Sequence, residues 1–171
     1  LITTVKGSGS YVNAFSQKDL SDSLETYIAM ICDEESLYEL MDLRILIESE
    51  VAARLASAPD KELVKALRQT IEAMKHEESV SELSKLDHEF HEILVRASGN
   101  RLYQALVKTL KQSYLKFSER VYQISPKFSR QVIKQHEDIM RAIENSDSEG
   151  ARLAMRLHIS ASREQLQRGK A

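Results

Sequence analysis

The sequence predicts an all-α fold, an antiparallel bundle of about six to seven helices preceded by a short β-hairpin. Three observations predict it. Apolar residues recur at i, i+3, i+4 and i+7 through most of the chain, the spacing of an amphipathic helix. Helix-capping signals recur at roughly helix-length intervals. Two prolines and five glycines in 171 residues leave few breakers, so the connections between periodic segments are short.

The elements follow in order. Leu1-Ile2-Thr3-Thr4-Val5 and Ser10-Tyr11-Val12 are β-prone, and Lys6-Gly7-Ser8-Gly9 between them reads as a hairpin turn. An isolated hairpin is marginal in water. With no starting methionine, the chain is expected to begin partway through another domain, residues 1–15 being its last part. Ser16 with Asp19 resembles a capping box opening a linker helix within 16–34. The main helical domain is expected over 35–168. Its first helix runs from Glu35 to about Ala58, where Pro59-Asp60 punctuates it, and the next reaches about Glu77. Ser79 with Glu82 forms a capping box for a helix ending near Ala97, with Gly99 placed beyond its C-cap and Asn100 placed to cap its successor. That successor continues to about Gln123. Ser125-Pro126 reads as an N-cap followed by proline at the first helical position. This helix ends near Asn145, and Ser146 with Glu149 caps a last one reaching about Gln167.

Composition narrows the function. The chain is 42% hydrophobic and 29% charged, without tryptophan, and no apolar run approaches the roughly 20 residues of a membrane span. It opens without a signal peptide, and its single cysteine, Cys32, cannot form an intramolecular disulfide; both point to a cytoplasmic protein. Cys32 reads as a small core residue. A net charge of −2 gives no electrostatic footprint for nucleic acid. There is no His-Glu-x-x-His, no Glu-x-x-His, no phosphate-cradling glycine loop and no Gly-x-Ser-x-Gly elbow, so enzymatic chemistry has no positive support.

Polar residues on apolar stripes carry the functional signal. Asp87 and His91 lie among Leu83, Leu86, Phe90 and Leu94. His136 lies among Val132, Ile133, Ile139, Met140 and Ile143, and His158 among Ala154, Leu157 and Ala161. A buried carboxylate is costly unless paired or metal-bound. Asp87 and His91, four apart, share one helical face at about 6 Å. His136 lies ten residues before Ser146 and His158 twelve after it, so an antiparallel turn brings them level. Three imidazoles and a carboxylate suit zinc, nickel or manganese. Hydrogen-bonded core histidines are the competing reading, and spacing does not decide between them. His76 and His88 fall off the stripes and are expected to be solvated. Arg44 sits among Leu40, Leu43, Ile47, Val51 and Leu55 and needs an anion. That anion is either Glu48, one turn on, or an acidic ligand.

These residues also carry a resemblance. From about Asp42 to Gln165 the chain resembles the FCD effector-binding domain of FadR-type regulators in the GntR superfamily. The matching segments are Arg44-x-x-x-Glu48 with Ala52-Ala53-Arg54-Leu55-Ala56, Leu86-Asp87-His88-Glu89-Phe90-His91, Ala97-Ser98-Gly99-Asn100, His136-Glu137-Asp138-Ile139 and Ala154-Met155-Arg156-Leu157-His158. The resemblance implies that Asp87, His91, His136 and His158 hold a divalent metal. It also implies that residues 1–12 are the wing of a winged helix-turn-helix domain otherwise absent from this chain. The intact protein is then expected to be a homodimeric bacterial transcriptional regulator, contacting operator DNA through that domain and responding to a small organic acid or sugar acid. Arg44 would help to bind that effector. The alternatives are a metal-dependent hydrolase, for which no carboxylate beyond Asp87 presents itself as general base, and a purely structural dimerisation module.

Overall fold

The computed structural model describes residues 2–12, 34–125 and 127–169, together with Ser23, Thr26, Tyr27 and Met30. Strands β1 (Ile2–Val5) and β2 (Gly9–Val12) pair antiparallel, with Ile2 opposite Val12 and Val5 opposite Gly9. Six helices follow among the described residues: α1 (Glu34–Ser57), α2 (Lys61–Lys75), α3 (Val80–Ala97), α4 (Arg101–Ile124), α5 (Phe128–Glu144) and α6 (Ser148–Arg168). The Ser16–Asp19 cap, most of the linker region over 16–34, Cys32 and Pro126 lie outside the described residues.

The helices close into a bundle because the first and last meet. α1 lies along α6 in the most extensive pairing, while α3 packs on α4, α5 on α6, and α2 on both α3 and α5. α1 buries Ala52, Ala53 and Ala56, and α6 buries Ala151; side chains this small allow close helix approach. The core continues through Leu67, Ile71 and Met74 of α2, Phe90 and Leu94 of α3, and Phe117 and Val121 of α4. From α5 it takes Ile139 and Ile143, and from α6 Met155, Ile159 and Leu166. Leu157 is a correction: it is 56% exposed. His158 belongs to two adjacent stripes, and α6 turns the one with Ala151, Met155 and Ile159 inward, leaving Leu157 outside. Periodicity finds both stripes, and only the packing against α1 and α5 chooses between them.

Caps agree with the sequence at Ser79, Gly99 and Asn100 and depart from it at two ends, while Asp60, read there only as a break, is itself an N-cap. The Asp60 side chain accepts from Glu62 N–H, Ser79 Oγ from Glu82 N–H, and Asn100 Oδ1 from the N–H groups of Leu102 and Tyr103. The reciprocal arm of the Ser79 box is absent, because the Ser79 N–H goes to Glu77 and Glu82 pairs with Lys85. Gly99 takes φ +68°, the left-handed position just past a helix end. Ser125 does not cap α5. Its N–H closes α4 on Val121 O, and α5 starts at Phe128 after Lys127 with no side-chain cap. Nor does Ser146 cap α6. It adopts φ +59°, its N–H reaching Ile143 O while Asp147 N–H reaches Ala142 O, the two bonds of a Schellman end. Asp147 is therefore the N-cap, accepting from Gly150 N–H at 2.8 Å. A Cβ at residue 150 would press on the Asp147 carboxylate as it sits here, so glycine leaves room for this cap geometry.

Asp147→Ala should destabilise the fold by about 1 kcal/mol. Ser146→Gly should be neutral or stabilising, since glycine accepts the left-handed backbone. Denaturant unfolding of both variants checks this, and the opposite ranking would return the cap to Ser146.

Candidate metal centre

Three helices deliver four buried side chains to one place. α3 supplies Asp87 and His91 one turn apart, α5 supplies His136, and α6 supplies His158. Their candidate ligand atoms all lie within 4.8 Å of one another. His158 Nε2 is 3.1 Å from His91 Nε2 and 3.3 Å from His136 Nε2. Asp87 Oδ1 is 3.3 Å from His136 Nε2 and 3.9 Å from His91 Nε2. Asp87 Oδ1 is buried without a hydrogen-bond partner.

The far side of each ring says what its inner nitrogen offers. His91 Nδ1 lies 2.5 Å from Glu48 Oε2 as an ion-pair contact without hydrogen-bond alignment, and His158 Nδ1 donates to Gln135 Oε1 at 3.2 Å. Carboxylate and amide oxygens only accept, so the protons belong on Nδ1, an assignment inferred from the partners. A neutral imidazole whose Nδ1 donates presents a bare Nε2 lone pair. With both protons on Nδ1, the Nε2 lone pairs of His91 and His158 would face each other at 3.1 Å. A cation bound at about 2.0–2.2 Å to each donor would leave neighbouring donors roughly 3–3.5 Å apart. The donor set fits such an ion, and oriented second nitrogens are what metal-ligating histidines usually have. Burial first, then the neighbouring imidazoles, push His136 and His158 well below the usual histidine range and keep both neutral. The His136 ring stacks on Phe90 at 3.9 Å between centroids.

Asp87 is held from the opposite side. Tyr114 Oη donates to its Oδ2 at 2.5 Å. Burial raises the Asp87 pKa, against the pull of His91 and Tyr114. Burial also raises Tyr114 far above its normal value, which keeps it a donor.

Arg44 is adjacent to the four rather than among them. Its Nε meets Glu48 Oε1 at 2.6 Å and its Nη2 meets Oε2 at 3.3 Å, while the guanidinium lies 4.1 Å over the Tyr114 ring. Burial alone would raise the Glu48 pKa, but Arg44 and His91 together outweigh it and hold the carboxylate ionised below its usual range. Glu48 is thus a second buried carboxylate, and it ties Arg44 to His91 across α1 and α3.

No spacing in the sequence places Glu48 behind His91 or singles out Gln135 or Tyr114. Gln135 directly precedes His136, and Tyr114 shares its face with Phe117 and Val121; those were the available signals. The off-stripe position of His88 predicts a solvated ring, as His76 has beside Glu72, but His88 is buried at 4% exposure. The reason is that α1, α2 and α4 all pack on α3, so its buried surface is wider than one stripe. Burial, then Lys111, lowers the His88 pKa to about 4. His88 lines a cavity of about 30 Å³ with Arg44, Glu48, His91 and Tyr114.

Comparison with known proteins places this geometry in a family context. Residues 39–161 match the FCD domain. The chain is 27% identical over 165 residues to the HTH-type transcriptional regulator LutR of Bacillus subtilis, covering 94% of this chain and 74% of that protein. It is 29% identical over 169 residues to the putative L-lactate dehydrogenase operon regulatory protein of Escherichia coli, covering 91% of this chain and 62% of that protein. A solved structure of a Streptococcus agalactiae GntR protein shares the fold, with a TM-score of 0.67 at 24% identity over 95% of this chain and 74% of that one.

Removing one partner of a buried ion pair strands the other charge, so Arg44→Met should destabilise the metal-free protein by about 3–5 kcal/mol. Adding Glu48→Gln should restore much of that loss. A double-mutant cycle in denaturant measures it, and additive losses would mean the two side chains are not coupled.

Proposed function

The chain belongs to the FCD domain family, and on that premise we propose that it is the effector-sensing and dimerisation domain of a bacterial transcriptional regulator. In this reading it binds a divalent metal and a small carboxylate or sugar acid to modulate operator binding. The observation that carries the reading is the convergence of three imidazole Nε2 atoms and the partnerless Asp87 Oδ1 in one buried site. Asp87, His91, His136 and His158 would hold the metal, with zinc the best match to this donor set and nickel or manganese also compatible. A bound ion supplies an electrophilic centre that can seat a carboxylate or hydroxyl oxygen. Glu48 and Gln135 fix the His91 and His158 rings, and Tyr114 fixes Asp87.

Arg44 is the effector-binding residue in this reading. Glu48 engages its Nε and Nη2, while Nη1 meets only the weak acceptor Met41 Sδ at 3.7 Å, so donors remain for an acidic ligand. The E. coli relative is named for an L-lactate dehydrogenase operon, which supports a short hydroxy acid as the kind of ligand. A coupling of about 1–3 kcal/mol between effector and operator would change DNA affinity roughly 5- to 150-fold. Operator contact would fall to a winged helix-turn-helix domain whose wing is the hairpin of residues 1–15, with 16–34 as linker. No helix among the described residues is long and apolar enough to cross a membrane, consistent with the proposed cytoplasmic location. A hydrolase is disfavoured because Glu48, the one further carboxylate at the site, is already committed to Arg44 and His91, and the relatives are named as regulators.

One divalent ion per chain is expected in the wild type, and His136→Ala should lose it. Arg44→Ala should retain metal but bind the best organic acid at least tenfold more weakly. Metal analysis after reconstitution with zinc, nickel and manganese, followed by calorimetry over a panel of acids, tests both. Unchanged stoichiometry in His136→Ala refutes the metal site, and equal acid affinity in Arg44→Ala makes that arginine purely structural.

The same region is proposed to form the homodimer. Leu43 and Leu46 of α1 and Leu153 and Leu157 of α6 are exposed on two helices that pack together. Sedimentation of this chain at tens of micromolar should therefore show a dimer, and Leu46→Glu with Leu157→Glu should shift it to monomer. A wild-type monomer contradicts the assignment.

A further inference from the structure

α3 and α4 leave a solvent-open groove of about 350 Å³ directly outside the buried site. Its lining includes Arg96, Lys108 and Lys111, three cations against one carboxylate, Glu92. His88 and Val107 line this groove and also line the small cavity that reaches Arg44 and His91. His88 and Val107 thus border both the basic groove and the space beside Arg44.

The two volumes decide what must happen for a ligand to bind. The inner cavity, at about 30 Å³, has room for little more than water. Small-molecule sites commonly need about 300–1,000 Å³. An acid reaching Arg44 must therefore displace part of the cavity wall. Most of that wall is tied in place: Arg44 to Glu48, Glu48 to His91, and Tyr114 to Asp87. His88 is not tied. Its Nε2 is buried without a hydrogen-bond partner, Glu92 Oε2 stands off at 3.6 Å, and its ring lies tilted against Tyr114 at 5.0 Å. Rotating this ring breaks no hydrogen bond at Nε2, and both of its neighbouring spaces already exist.

We propose that His88 is a gate, and that its opening joins groove and cavity into one pocket for an elongated acid with an anionic group at each end. One end lies at Arg44, and the other lies among Arg96, Lys108 and Lys111. This assignment rests on the acid-sensing reading above and narrows it to diacids, such as dicarboxylates or doubly oxidised sugar acids. The groove cations raise the local concentration of such a ligand and then neutralise its second charge, which a monoacid of equal length lacks.

Calorimetry on the metal-reconstituted chain tests this with matched probes, malate against 2-hydroxybutyrate and glucarate against gluconate. In at least one pair the diacid should bind tenfold or more tightly than its partner. Lys108→Gln with Lys111→Gln, both at exposed positions, should erase that advantage and leave the monoacid unchanged. Equal binding within both pairs, or an advantage that survives the double substitution, overturns the diacid pocket while leaving acid sensing intact. No binding by any of the four acids overturns both. In stopped-flow measurements with the preferred diacid, His88→Ala should accelerate association several-fold, whereas an unchanged rate shows that His88 does not gate.

Discussion

The Glu48 carboxylate is pulled in two directions inside a dry interior, and the surrounding site is organised by that tension. A buried anion needs compensation, and Arg44 supplies it through two N–H groups from one turn away on the same helix. Once ionised, Glu48 lies 2.5 Å from His91 Nδ1 on α3 and favours a proton on that nitrogen. The charge of an arginine on the first helix is thereby transmitted to the lone pair of a histidine on the third. Tyr114 joins the two sides, lying under the Arg44 guanidinium while donating to Asp87. Three helices are keyed to one another by groups that would each be costly if left alone.

On their far sides the four candidate donors are braced unequally: His158 Nδ1 donates to Gln135 and Asp87 Oδ2 accepts from Tyr114, His91 Nδ1 lies against the Glu48 carboxylate, and His136 Nδ1 is buried without a hydrogen-bond partner. The side facing α4 is built differently, with His88 buried yet unbonded at Nε2.

What was legible in the sequence follows the reach of local rules. Asp87 and His91 could be paired because four residues on one helix fix their separation. The caps at Ser79 and Asn100 and the left-handed Gly99 were readable for the same reason. His136 and His158 stood out as polar residues on apolar stripes, and the short α5–α6 connection placed them level. The failures arose where two local answers were equally good or where a third helix intervened. Ser146 and Asp147 are both competent caps, and the serine was taken by the Schellman end. Leu157 and Met155 lie on alternative faces that both include His158. The burial of His88 and the Glu48–His91 contact depend on which helices cover α3, and no spacing within α3 contains that information.

The tight Schellman joint at Ser146 has a consequence for the order in which the site can assemble. His136 and His158 are 22 residues apart and sit on a helical hairpin that this joint closes, whereas His91 and His158 are separated by 67. Loop-closure entropy rises with the logarithm of chain length, so the nearer pair meets at an advantage of about 1 kcal/mol before any packing is counted. Half of the donor set thus belongs to a low-contact-order unit at the C-terminal end of the chain. The Asp87 and His91 half is recruited only when the bundle closes, so a cation bridging the two halves would act as a late fastener on the folding path rather than as its nucleus.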